Sequence, residues 1–159
     1  MKKAIRKGFK VLSQIEEYTL VAFLTVMMLS ILLQVIFRFI LNDPLLWSEE
    51  LSRILLVWMG MAGVGYGIKT NSHVKLEYFF NRMPHSVQKL LQICFYVLII
   101  AGFIILFPSA VKFIEDQRNI SSSSLPIKYN VVFVSIAVGM VLAILHCIEG
   151  ILNLFWEDD

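Results

Sequence analysis

Charge is scarce in this sequence. Only 16% of its 159 residues are Asp, Glu, Lys or Arg, against 58% that are hydrophobic. A soluble domain of that composition has too little polar surface to cover its core, so the bilayer is the expected solvent. Cysteine is scarce too. Cys94 and Cys147 are the only two, and each sits inside a long apolar run. Neither a disulfide framework nor a CxxC metal or redox site is available, and both read as small embedded hydrophobes. Basic residues interleaved with aromatics on a polar surface are missing, which leaves nucleic acid a poor guess as a partner. A cleavable signal peptide is not expected either. The first apolar run, from Tyr18 to Phe37, is about 20 residues long, enough to span and stay.

The usual marks of catalysis are also lacking: no nucleophile elbow, phosphate-binding glycine loop or HExxH helix occurs, so no enzyme is expected. Only His146 lies within an apolar run, with His73 and His85 between runs. That argues against haem held between span histidines and leaves no cofactor or metal to expect. No run has an acidic or basic residue at its centre, where a protein that moves ions or solutes usually needs one. The chain looks unequipped to transport by itself.

What is present is four runs of spanning length, near Tyr18 to Ile40, Leu45 to Ile68, Val87 to Phe113 and Val131 to Phe155. Open strands would leave backbone polar groups unpaired in lipid, and the alternation of a barrel is absent. The expected fold is an all-α membrane protein of one domain, residues 1–159, with four transmembrane helices. Short connectors imply an up-down arrangement. Lys2, Lys3, Arg6, Lys7 and Lys10 crowd the start, and Lys69, Lys75, Arg82 and Lys89 flank the second connector. By the positive-inside rule both termini face the cytoplasm. Ile5, Phe9, Leu12 and Ile15 recur at helical spacing opposite the lysines. The segment can therefore lie on the inner leaflet as an amphipathic interfacial helix, or serve only as a topogenic tail.

Four charges crowd the stretch NDPLLWSEELSRILLVW, Asn42 to Trp58. Asp43 followed by Pro44 has the form of a helix cap and first helical residue. Glu49 and Glu50 would face Arg53 one turn on, with Trp47 and Trp58 as interfacial anchors. Gln34 and Arg38 share a face at the outer end of the first span. Arg38 can snorkel to the headgroups or pair with a carboxylate, Glu49 and Glu50 being the nearest. In the second span Gly60, Gly63 and Gly67 form a small-residue stripe, and Ser135, Gly139 and Ala143 repeat it in the fourth. Such stripes permit close helix contact, either within the chain or with a partner subunit. His146 and Glu149 can pair near the inner end of the last span, or form a functionally silent interfacial site.

In this order, Arg38, the Trp47, Glu49, Glu50 and Arg53 cluster, Trp58, Gly63 and the His73-Val74 pair resemble the small membrane subunit, the DctQ-type component, of tripartite ATP-independent periplasmic (TRAP) transporters. MPHSVQKLL from Met83 and SLPIKYN from Ser124 extend the resemblance over most of the chain from Gln34 to His146. A departure is the fourth span, VVFVSIAVG, which lacks an early proline often found there. The resemblance implies a non-enzymatic scaffold in the bacterial inner membrane. Its partners would be a large TRAP membrane subunit that carries the substrate and sodium sites, and a periplasmic substrate-binding protein that delivers an organic acid such as sialic acid or a C4-dicarboxylate. The rival reading is a self-contained homo-oligomeric channel or exporter with Arg38 and Glu50 along its path. A cytochrome anchor is a second rival.

Overall fold

The computed structural model describes residues 2–70 and 84–156. His73, and with it the His73-Val74 pair, lies outside the described residues. Among those described, four α-helices carry nearly the whole chain: α1 (Lys2–Ile36), α2 (Leu46–Lys69), α3 (His85–Asp116) and α4 (Tyr129–Trp156). Each is long and apolar enough to cross a membrane, and a helix satisfies its own backbone polar groups where lipid cannot. The N-terminal segment is helical, but α1 runs through all 35 of its residues without a break. It is therefore one helix of about 50 Å, longer than the roughly 30 Å hydrocarbon core needs, rather than an interfacial helix hinged to a span. Ile5 and Ile15 turn outward, whereas Ser13 and Glu16 turn inward.

The turn between α1 and α2 differs from the cap expected at Asp43. The last turn of the first span, Phe37–Leu41, widens to a π-helical turn. Asn42 ends it in the left-handed conformation (φ 52°), its N–H donating to the Phe37 carbonyl. Asn tolerates that region better than most residues. The Asp43 N–H also donates to Phe37 O, at 3.2 Å. Asp43 thus helps to close the first helix, and Pro44 after it disfavours helical geometry at that residue. α2 begins only at Leu46, with no side-chain cap.

The helices do not stack in chain order. α2 packs chiefly against α4, α1 lies on α2, and α3 lies on α4. The order of the main contacts is thus α1, α2, α4, α3, a row with α2 and α4 in the middle in which α1 also reaches α4 through Glu16. Glu50 meets Tyr129, Met61 meets Gly139 and Gly65 meets Ala143, so α2 and α4 run parallel. On the flanks, Phe23 of α1 sits edge-on to Trp58 of α2, and Phe113 of α3 sits edge-on to Phe133 of α4 at 4.9 Å. Tyr96 lies against Gly150, which makes α3 antiparallel to α4. Both termini consequently lie at one end of the row, the terminal end, and the 42–45 and 117–128 turns lie at the other, the connector end.

The α2–α4 seam is close because its residues are small. Ser135, Gly139, Ala143 and Cys147 recur at every fourth position of α4 and are all buried, with Gly139 against Met61 and Ala143 against Gly65 of α2. A Cβ on Gly139 would stand 2.6 Å from the Met61 carbonyl oxygen, so only glycine fits that crossing. The serines disturb nothing, since each hydroxyl donates to a carbonyl of its own helix: Ser48 to Leu45, Ser52 to Ser48 and Ser135 to Val132, at 2.7 to 2.8 Å. α3 continues through Pro108, as transmembrane helices often do.

Candidate functional site

Polar chemistry gathers at the two ends of the row. At the connector end, Glu50 reaches from the first turns of α2 to the chain that enters α4. Its carboxylate accepts the Ser124 N–H at 2.9 Å, the Ser123 N–H at 3.3 Å and the Tyr129 hydroxyl at 3.3 Å. The connector is itself folded. Ser122 N–H donates to Ile127 O at 2.9 Å, Tyr129 N–H donates to Ile120 O at 3.0 Å, and Leu125 N–H donates to the Ser122 hydroxyl. Glu50 thus supplies an anionic acceptor to two amides that the short loop leaves unmatched. Beside it, Arg53 donates to Glu49 one turn back along α2, both side chains being largely exposed. Together these residues rim an open hollow of about 290 Å³, floored by Val57, Val132 and Phe133.

The expected pairing of Arg38 with Glu50 is not what the structure shows. Glu50 is engaged by the 122–129 stretch, while Arg38 is exposed and stacks over the neighbouring Phe39 ring at 5.8 Å. The reason is geometric. The π-turn and Asn42 separate the connector end of α1 from α2, and the nearer backbone amides of the 117–128 connector satisfy the acid first.

At the terminal end, His146 is buried at 1% exposure and Glu16 at 5%. Glu16 Oε2 lies 2.7 Å from His146 Nε2, and Glu149 Oε2 lies 2.9 Å from Nδ1. The contact with Glu149 follows from their spacing along α4. Glu16 comes from α1, 130 positions away in the chain, and sequence reasoning missed it. Ser13 and Glu16 lie one turn apart on one side of α1, but that both are buried is visible only in the structure.

The remaining candidates divide. Ser135, Gly139 and Ala143 belong to the α2–α4 seam, as does Gly65, which was not singled out. Gly60 and Gly63 face open space. Gly67 is half-buried and its carbonyl accepts the Thr70 hydroxyl. Trp58 packs on Phe23 rather than standing alone at an interface, and Trp47 is 39% exposed at the connector end. None of these groups forms a catalytic constellation among the described residues.

The sequence profile described as "Tripartite ATP-independent periplasmic transporters, DctQ component" matches residues 27–156, all but the first part of α1 and the last residues. The chain belongs to the DctQ family. Across 149 residues it is 32% identical to the sialic acid TRAP transporter small permease protein SiaQ of Vibrio cholerae, covering 91% of this chain and 84% of that protein. It is 32% identical over 76 residues to the C4-dicarboxylate TRAP transporter small permease protein DctQ of the same organism, covering 48% of this chain and 33% of the relative. A 56-residue stretch is 36% identical to the sialic acid TRAP transporter permease protein SiaT of Haemophilus influenzae, 35% of this chain but only 9% of that much longer protein. This DctQ-family chain is therefore a small TRAP permease subunit, a multi-pass protein of the inner membrane. The row and its two polar ends are the architecture of that subunit.

Proposed function

We propose that this subunit is the fixed scaffold of a sodium-coupled organic acid importer. It would pair with a large membrane permease that holds the substrate and sodium sites, and receive its cargo from a periplasmic binding protein. Sialic acid is the favoured substrate class, because the SiaQ relative matches over most of the chain where the C4-dicarboxylate relative matches about half. The reading includes a cytoplasmic location for both termini and no enzymatic activity.

One observation carries it. Between Arg53 and Lys69 on α2, and between Asn130 and His146 on α4, the seam holds no ionisable group except Tyr66, which is half-buried, and Cys147 lies beyond. A solute path through the middle of this row would have nothing to bind charge with. A row one helix thick, with large apolar side chains exposed on α1 and α3, instead suits a wall against which a second membrane protein works. The presence of a SiaQ-like stretch within the much longer SiaT relative supports a large permease as that second protein.

Reconstitution in liposomes tests the proposal. The chain alone should give no uptake of sialic acid under a sodium gradient, and adding the large permease and the loaded binding protein should restore it. Sodium-driven uptake by this chain without partners would instead favour the self-contained channel or exporter.

A further inference from the structure

We propose that Glu16, His146 and Glu149 form a buried proton-binding site, in which His146 is held as an imidazolium between two carboxylates and so fastens α1 to α4. Both ring nitrogens lie within hydrogen-bonding distance of a carboxylate oxygen, at 2.7 and 2.9 Å. A neutral imidazole carries one N–H, and an ionised carboxylate only accepts. With all three groups in their ordinary neutral-pH forms, one nitrogen lone pair would face a carboxylate lone pair at contact distance, which is repulsive. Filling both gaps takes one more proton. An imidazolium places it where each carboxylate accepts a charge-assisted hydrogen bond.

The surroundings favour this arrangement. The His146 side chain is fully buried and that of Glu16 nearly so, so water does not reach between that acid and the ring, while Glu149 is partly exposed at the edge of the site. Glu16 Oε1 is buried without a hydrogen-bond partner, which leaves the histidine as the partner of that carboxylate among the described residues. The other ionisable groups facing the site are Lys69 of α2 and Tyr96 of α3, which line the adjoining hollow of about 310 Å³. Lys69 is exposed and lies over the Tyr66 ring of its own helix at 5.9 Å, so it does not supply the missing positive charge. Sequence distance adds a mechanical consequence. Tied at Glu16, the basic start of α1, with Lys7 and Lys10, is held in line with the span.

Nitrogen-15 spectra of the full chain in nanodiscs, labelled at histidine, read the site directly. At pH 8, where an exposed imidazole is neutral, one of the three histidines should show both ring nitrogens protonated, and the signal should vanish in His146→Gln. A bare ring nitrogen on His146 at that pH overturns the proposal, including the case of a protonated Glu16 beside a neutral ring. Glu16→Gln separates charge from fit: its amide can donate to a neutral ring, so the imidazolium signal should be lost while α1 stays docked. Docking is read by amide exchange over residues 9–20. His146→Ala should raise that exchange at least severalfold, and Glu16→Gln should leave it within about twofold. Unchanged exchange in His146→Ala would remove the fastening role.

Discussion

At the scale of single residues, the glycines separate into those the fold needs and those it does not. Gly139→Ala places a Cβ 2.6 Å from the Met61 carbonyl oxygen, a backbone atom that can yield only by moving α2 from α4. Overpacking of this kind costs about 1–3 kcal/mol. Gly60→Ala meets nothing within 4 Å and should change stability by no more than about 1 kcal/mol. Reversible unfolding of the two variants in mixed micelles checks the contrast, and equal effects would show that the seam is looser than its geometry. The α4 stripe was legible because small residues at every fourth position stand out against Val, Ile and Leu. Gly65 was not, since Gly60, Gly63, Gly65 and Gly67 crowd one another and spacing alone does not say which face meets a neighbour. Glu16 stayed hidden for a different reason. It sits beside Glu17 in a charged stretch, and only the three-dimensional packing brings it to His146.

At the scale of elements, the charged start of α2 is a fastening for the connector into α4. Glu50→Ala leaves the amides of Ser123 and Ser124 without their acceptor, so their hydrogen exchange should rise severalfold in the bilayer. Glu50→Gln keeps an acceptor oxygen and should show a smaller rise. Glu49→Ala removes only an exposed pair with Arg53, the kind that contributes little, and should leave both amides unchanged. A rise in all three variants alike would mean that the acids act through general charge. The sequence marked this stretch as dense in charge and turned both Glu49 and Glu50 toward Arg53, of which only Glu49 pairs with it. It pointed Glu50 toward Arg38 because proximity in sequence favoured the preceding turn, whereas a carboxylate goes to whichever amides the fold leaves unpaired.

At the scale of the whole molecule, the number and approximate limits of the spans were legible, because hydropathy over a bilayer thickness is a strong signal. The order of the helices in space was not. In water the apolar face of a helix says where the core lies, but a helix in lipid is apolar all round and its neighbours are chosen by fit between small residues. Short connectors give the up-down course of the chain but not the neighbours, and the fit of Gly139 to Met61 selects α4 for α2. The row places both termini at one end, and the proposed orientation, drawn from the basic flanks, puts that end in the cytoplasm. Reporter fusions should show both termini inside, with a cysteine introduced at Ser123 labelled from outside. Labelling of either terminus from outside would reverse the orientation. The parallel course of α2 and α4 has one more consequence. Their backbone dipoles add instead of cancelling, so two partially positive helix starts stand side by side at the connector end. Asp43, Glu49 and Glu50 all fall near those starts, so the acidity of the stretch complements the paired helix starts from the connector side, while the C-terminal ends of α1 and α3 flank them.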